Sequence, residues 1–560
     1  MRRWWLAPYV AYIVGFGLIP FALTFYFVGL NASSIKALFL DFPPGTFQLA
    51  VENTLLFSAT SALFATLLAL VLATRVDSLP KRWQMPLSLL ILSPYTIPFT
   101  ASTMVWYTMF DPLYGPFYYL IELLHLPRLN LTTVPGLSIW AVSIVGVWSN
   151  VSFAYLVIVS GFRAIGKEMR EVAQIDGASK SQYYSGVALP YVFKIVATTF
   201  LIIFVIQLGN FDIPFILTQG GPGYSSTTLP LMVYDLLYFI GDFQAGEAAA
   251  ALLAAMATIP AVVLLAVMRS SGGLNVRLPP IKIPDRVYDA LLWTATALIL
   301  LFLLFPIYWM FVIAFRPTQY DFVSPPMLYP SVFTEKYFQK ALSGAVPYIA
   351  TNVVVGLAVA AISVALAGTA AYIMSKRNMY LLLLLTIYLY SLPSASFILP
   401  IYLFFSATDL LNTWWALILS TPLFTVTLSA WIFFNIYRDV PNEYQEIAEL
   451  EGASSTYTLF RIIAPITAGA WYTMFVLSFI VNWHLLFYPI VLTETPWAFN
   501  FPPTGAQTVT IYAIESITSE AVDWGTLAAS ALVVALPVMV LNYLILGKLL
   551  EGFNIGGLKG

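Results

Sequence analysis

The segment EVAQIDGASKSQYYSGVALP (residues 171–190) recurs as EIAELEGASSTYTLFRIIAP (residues 446–465), 275 residues later and without a gap. Both copies are polar, although the chain as a whole is 60% hydrophobic and only 9% charged. A soluble protein is about one quarter charged. The composition therefore indicates a membrane protein with many spans, and the repeat indicates two related halves.

Twelve windows are apolar and long enough to cross a membrane, which takes about 20 residues. They cover residues 5–30, 48–74, 85–110, 137–161, 191–218, 245–269, 286–315, 346–375, 380–405, 413–435, 467–493 and 525–550. If the N-terminus lies inside the cell, 19 of the 25 lysines and arginines fall in inside loops and five in outside loops. This bias follows the positive-inside rule. It predicts a multi-pass protein of the cell membrane with both termini, and both polar copies, in the cytoplasm.

The chain divides at a stretch rich in glycine, proline and basic residues, SSGGLNVRLPPIKIPDR. We predict a first domain at residues 1–270, a cytoplasmic linker at 271–286 and a second domain at 287–560. In the N-terminal part of each half, equivalent residues are 299 rather than 275 positions apart. This offset pairs Asn53 with Asn352 and Pro94 with Pro393. Six spans per half give both halves the same orientation. The predicted fold is an all-α membrane protein of two parallel six-helix repeats.

Each polar copy has the features of a short helix, a turn and a second helix. Glu168 and Glu171 favour the first turn of a helix through its dipole. Gly177 can end that helix, because glycine takes left-handed backbone angles at little cost. We call residues 165–190 the first knob and residues 440–465 the second knob. Prolines at 94, 98, 393 and 400 are predicted to break helices within the spans.

The pattern E-x-A-x-x-D/E-G-A, with a proline about a dozen residues later, resembles the cytoplasmic coupling loop of permeases of binding-protein-dependent ABC importers. The resemblance covers essentially the whole chain, as two fused permease units. It implies that each knob docks on a separate ATPase subunit, which binds ATP and Mg, and that a binding protein delivers the solute outside. The implied coupling residues are Glu171, Ala173, Asp176, Gly177, Ala178 and Pro190, and Glu446, Ala448, Glu451, Gly452, Ala453 and Pro465.

Two further stretches resemble the carbohydrate permeases of the maltose and glycerol-phosphate group: LGNFDIPFILTQGGP (residues 208–222) and SFIVNWHLLFYPIVL (residues 478–492). Sugars are bound by aromatic faces and by amide or carboxylate groups, and polar groups inside spans are often functional. The resulting candidates for a substrate path are Trp148, Asn150, Tyr155, Gln207, Asn210, Phe211, Asp212, Asn482, Trp483 and His484. The usual motif of that group at this place is W-N-E/D-F. This chain departs from it, because His484 follows Trp483. A di- or oligosaccharide is the expected cargo.

The chain lacks the residues of an enzyme or a cofactor site. It has no cysteine and two histidines, so a cysteine or histidine metal site is not expected, and no cofactor is expected in this chain. No G-x-x-x-x-G-K-S/T phosphate loop occurs, so an ATPase would be another polypeptide. Two alternatives remain open at this point: a secondary transporter with parallel repeats, and a fused ABC permease for iron or thiamine. The expected partners are two ATPase subunits, an extracytoplasmic sugar-binding protein, the sugar and membrane lipid. Nucleic acid is not an expected partner.

Overall fold

The computed structural model describes residues 3–30, 35–36, 38, 45–125, 130–270, 279–515 and 523–552. These residues are mostly helical and form no β-strand beyond a single bridge between Thr413 and Thr504. The predicted all-α class is confirmed. Residues 271–278 of the predicted linker lie outside the described residues. Residues 279–284 run without helix, and the last two residues of the predicted linker, Asp285 and Arg286, begin span seven.

In the described part of the chain, nine helices could each cross a membrane, and three bent helix pairs bring the number to twelve if each pair is one span. The nine are Ala7–Val28, Thr46–Ser78, Ser138–Arg163, Lys180–Leu208, Phe243–Arg269, Asp285–Phe315, Lys336–Lys376, Trp414–Asp439 and Trp524–Leu541, the last within a helix that runs to Gly552. The bent pairs are Lys81–Thr96 with Phe99–Met109, Tyr380–Tyr390 with Ser394–Ala407, and Ser455–Ile466 with Ala468–His484. We number the spans one to twelve in chain order.

Shorter helices connect the spans or follow them. They are Pro116–Leu123, Lys167–Ile175, Asp212–Thr218, Leu229–Tyr234, Glu443–Leu450, Phe487–Leu492 and Val509–Glu515.

Spans three and nine bend by 90° and 103° at equivalent places in the two halves. Proline causes both bends, since it cannot donate a helical hydrogen bond and it disfavours helical angles at the residue before it. In span three Ile97, before Pro98, is extended (φ −96°, ψ 128°), whereas Ser93, before Pro94, stays helical; in span nine Pro393 lies at the break. The prediction for Pro400 was wrong. It lies in the first turn of the helix Ile398–Ala407, where no N–H is required.

Spans five and eleven end about ten residues before their predicted windows do. Span five ends at Leu208 and the chain resumes as a helix at Asp212, while span eleven ends at His484 and resumes at Phe487. Hydropathy alone gave continuous spans here because the residues at the breaks are apolar enough to pass. Each half therefore contains two broken spans.

The two knobs join their spans differently. The predicted window of span five begins at residue 191, just after Pro190, but the second knob helix continues through this proline from Lys180 to Leu208. A wider π-helical turn at Tyr184–Ala188 accommodates the proline. In the second half the same kind of turn at Leu459–Ile463 leads to a bend of 83° after Pro465.

The first span of each half packs on the opposite half. In span one, the Tyr12 hydroxyl donates to the carbonyl oxygen of Leu419 at 3.0 Å, and that of Thr24 to Ser396 at 2.9 Å. In span seven, the Trp309 indole donates to Thr108 at 3.2 Å. The two halves are therefore interlocked through their first helices.

An equivalent asparagine in each half fixes the loop beyond the broken span. The Asn53 amide donates to the carbonyl oxygens of Ser225 and Thr227, both at 3.1 Å. Asn352 accepts from the backbone N–H of Val509 at 3.1 Å. Both side chains are buried. The two asparagines that the offset of 299 residues pairs therefore have the same role, because each holds the loop that follows the broken span of its half.

Candidate functional site

The first knob has the predicted helix, turn and helix. Its first helix, Lys167–Ile175, ends at Gly177, whose φ of +73° is left-handed. The N–H of Ala178 donates back to the carbonyl oxygen of Ala173 at 2.9 Å, which closes the helix as in a Schellman motif. Ser179 then caps the next helix by a capping box with Gln182. The turn is therefore set by its own sequence.

The second knob repeats this hydrogen-bonding pattern in register. Gly452 has a φ of +77°, and the N–H of Ala453 donates to the carbonyl oxygen of Ala448 at 2.8 Å. The Ser454 hydroxyl accepts from the N–H of Tyr457 at 3.2 Å. The two halves, which otherwise differ widely, thus present the same backbone structure.

The knobs expose apolar side chains that the sequence analysis did not select. Ile175 is 83% exposed, and its equivalent Leu450 is 87% exposed. Val172 and Ile447, also equivalent, are 56% and 60% exposed. Large apolar groups on an otherwise polar projection mark an interaction surface. The sequence feature that could have predicted this surface is an apolar residue at the same position in both copies of the polar segment.

The acidic candidates surround these apolar groups, and the small ones lie at the turn. Glu171, Asp176, Glu446 and Glu451 are exposed, as are both turn glycines, whereas Ala173 and Ala448 are buried. An added Cβ at Gly177 or Gly452 would meet nothing within 4 Å. The glycines are therefore required by backbone angle and leave the turn surface open.

Each knob is attached to the C-terminal end of the second span of its half. In the first half, Arg170 forms an ion pair with Asp77, which also accepts from the Tyr184 hydroxyl at 2.8 Å. Burial lowers the pKa of Arg170, but the Asp77 carboxylate together with Tyr184 and Tyr183 offsets burial, so that the pKa is raised overall. In the second half, Lys376, equivalent to Asp77, donates to Asn442 at 2.8 Å. Both knobs are thus held on rigid helices.

The broken spans of the two halves meet one another. A Cβ added to Gly209, at the break of span five, would lie 3.1 Å from the Cα of Pro393, at the break of span nine. At the equivalent contact, the His484 ring at the end of span eleven lies 6.0 Å from that of Phe99 in span three. Phe211 and Phe487, which follow the breaks, are 4.9 Å apart between ring centroids. Four spans are therefore interrupted at one place between the halves.

The amide candidates next to the breaks differ in what they contact. Gln207 and Asn482 are equivalent, and both face span four or ten: Gln207 donates to the carbonyl oxygen of Gly146 at 3.5 Å and Asn482 to Thr421 at 2.9 Å. Asn150 donates to the same carbonyl oxygen at 2.8 Å, but from within span four, four residues along the same helix. Gln207 and Asn482 therefore connect neighbouring helices, whereas Asn150 is bound to its own helix.

Asn210 and Asp212 lie within the break of span five and are partly exposed. The Asn210 side chain accepts from the N–H of Ile213 at 3.1 Å and so begins the short helix that follows. Within the described residues, Nε2 of the half-buried His484 makes no hydrogen bond. These three side chains retain polar atoms at the junction of the halves.

Three aromatic candidates are instead buried between helices. Trp148 donates to the carbonyl oxygen of Leu303 at 3.1 Å, and Trp483 to that of Val534 at 3.0 Å. The Tyr155 hydroxyl is hydrogen-bonded to that of Ser88. All three are at most 1% exposed. Their polar groups are occupied by helix packing in this arrangement.

The chain matches one family twice. The profile described as "Binding-protein-dependent transport system inner membrane component" matches residues 65–271 and 363–550. Each match contains one knob and the two broken spans of its half. The family domain therefore occurs once in each half.

Individual relatives match about half of this chain. A probable ABC transporter permease of Pyrococcus horikoshii is 29% identical over 253 residues, 45% of this chain and 84% of the relative. The trehalose/maltose transport system permease protein MalG of Thermococcus litoralis is 26% identical over 264 residues, 46% of this chain and 92% of the relative. The sn-glycerol-3-phosphate transport system permease protein UgpA of Brucella suis is 30% identical over 247 residues, 41% of this chain and 81% of the relative.

Proposed function

Because this chain belongs to the family of binding-protein-dependent transport system inner membrane components and carries the family domain twice, we propose that it forms the complete transmembrane pore of an ATP-driven sugar importer. The observation that carries the proposal is the pair of matched knobs. Ile175 and Leu450 project from them at equivalent positions with most of their surface exposed. Two equal projections suit a partner with two equal or similar clefts.

The partners of the knobs are two ATPase subunits in the cytoplasm. Each would receive one knob, with Val172 and Ile175, or Ile447 and Leu450, as the apolar centre of the interface and the neighbouring carboxylates as its rim. ATP and Mg bind to those subunits, since this chain has no phosphate loop. This assignment places both termini in the cytoplasm, as the distribution of basic residues predicts.

Closure of the ATPase pair would bring the knobs together and rotate the two halves against each other. The knobs can transmit this motion because Arg170 and Asn442 fix them to spans two and eight. The broken spans meet between the halves, around Gly209 and His484, so a rotation would open or close the path there. An extracytoplasmic binding protein would deliver the solute to the outer side, as the family description implies.

The cargo is a sugar, with a di- or oligosaccharide favoured. Relatives are named for trehalose, maltose and glycerol phosphate transport. Asn210, Asp212 and His484 are partly exposed residues with polar side chains at the break, and the buried Phe211 ring lies beside them. If the break opens, this combination suits hydroxyl groups and a sugar face. We therefore propose these four residues as the part of the predicted path that contacts substrate.

The proposal is tested by purifying the tagged chain from its native membrane in mild detergent and counting the co-purifying subunits by mass. One chain with two ATPase subunits is the expected result. The captured binding protein can then be screened for sugars by thermal shift. A chain that purifies without an ATPase under every nucleotide condition would refute the proposal and favour a secondary transporter.

A further inference from the structure

The described end of the linker lies along the second helix of the first knob. The Ser181 hydroxyl donates to the carbonyl oxygen of Ile283 at 3.1 Å and accepts from the N–H of the same residue at 2.9 Å. The N–H of Ile281 donates to the Ser185 hydroxyl at 2.9 Å. Two serines one helical turn apart therefore hold the linker in a fixed register.

The residue that begins span seven completes the first turn of this knob helix. The carboxylate of Asp285 accepts from the N–H of Lys180 at 2.9 Å. The first N–H groups of a helix have no partner within it, and a negative charge there interacts favourably with the helix dipole. Span seven thus supplies part of the cap of a helix that belongs to the other half.

One turn further along span seven, Asp289 forms ion pairs with two cations of the first half. It pairs with the ammonium of Lys180 in the knob and, at 3.9 Å, with Arg75 of span two. The Arg75 guanidinium is buried and lies 3.7 Å from the ring centroid of Trp293 in span seven. Asp289 therefore joins the knob, span two and span seven at one point.

These contacts belong to one half of the repeat. The positions equivalent to Lys180 and Ser181 in the second knob are Ser455 and Thr456, so the cation that pairs with Asp289 is particular to the first knob. The second knob is connected instead to its own half, through the hydrogen bond from Lys376 to Asn442. The two knobs are alike on their outer surfaces and different in their attachments.

We propose that Asp289 is a positioning residue that makes the first knob and span seven move as one body, so that ATPase closure at the first knob acts directly on the first span of the second half. The inference rests on the proposed function, because it assigns a path for the motion that ATP causes. Coupling of this kind requires a rigid connection with discrete contacts, which the ion pairs and the capped helix provide.

The cysteine-free chain allows a distance measurement between spin labels on the complex with its ATPase. One label pair replaces Lys167 of the first knob and Arg286 of span seven, and a second pair replaces Lys167 and Glu443 of the second knob. All three side chains are exposed. Distances are compared between the nucleotide-free and the vanadate-trapped ATP states. Only labelled complexes that hydrolyse ATP are used.

The expected result is a shorter Lys167–Glu443 distance on trapping, with the Lys167–Arg286 distance unchanged. The variant Asp289→Asn should broaden the Lys167–Arg286 distances, whereas Asp289→Glu, which keeps a negative charge between Lys180 and Arg75, should leave them narrow. Lys282→Asp, a charge change on an exposed linker residue, is the matched control and should have no effect. If both distances change on trapping, or if Asp289→Asn has no effect, the inference is wrong while the proposed function stands. If neither pair changes, the proposed function fails together with the inference.

Discussion

Replacing Gly209 with alanine should push the break of span five away from that of span nine. The added Cβ would lie 3.1 Å from Cα and 3.2 Å from Cβ of Pro393, which is closer than such atoms normally approach. One of the contacted atoms is backbone and the other belongs to a proline ring, so neither can rotate away. Gly209 has a φ of −95°, which alanine can adopt, so the effect comes from crowding alone. Crowding of a packed site by one added group costs about 1–3 kcal/mol.

A loss of that size lowers the population of the observed arrangement by roughly 5- to 150-fold, since about 1.4 kcal/mol is a factor of ten. Thermal unfolding of the complex in detergent would measure the loss of stability, and uptake of radiolabelled sugar by cells would measure the loss of transport. Gly469→Ala is the matched control, because Gly469 lies in a helix and an added Cβ there meets nothing within 4 Å. Equal melting temperatures and equal uptake for the two variants would refute the argument that the breaks must meet at a glycine.

Two further outcomes are expected. The double variant Gly177→Val with Gly452→Val should abolish uptake while the chain still reaches the membrane, because β-branched residues are strongly disfavoured at the φ of +73° and +77° found there. Asparagine tolerates these angles, so the corresponding Asn variant is the control, and normal uptake by the valine variant would remove the knobs from the transport mechanism. Asn53→Leu should lower the free energy of unfolding by about 1–3 kcal/mol, because two buried carbonyl oxygens lose their donor. A melting curve identical to that of the unmodified chain would show that the loop is held by other contacts.

The sequence was most informative where structure is set locally. The left-handed turns at Gly177 and Gly452 follow from glycine flanked by helix-forming segments, and the bends near Pro98 and Pro393 follow from the chemistry of proline. Hydropathy located the spans because each must bury about 20 apolar residues in lipid. These features depend on neighbours along the chain, and the sequence contains those neighbours.

Features set by distant contacts could not be predicted in this way. Nothing in LGNFD indicates that Gly209 faces Pro393, so the break of span five was missed. Trp148 and Trp483 were selected as substrate residues because an indole suits a sugar, yet each donates to a carbonyl oxygen of another helix. The exposure of Ile175 depends on the orientation of its helix on the knob, which only the folded structure gives.

The exchange of first helices between the halves bears on how such a pore assembles. If the halves were separate chains, each would carry a docking surface for a foreign first helix, and pairing of two identical halves would compete with the correct pairing. A covalent connection raises the effective concentration of the right partner to roughly the millimolar range. The fused chain thereby suppresses mispairing during membrane insertion, and it delivers the two unlike halves in a fixed ratio of one to one.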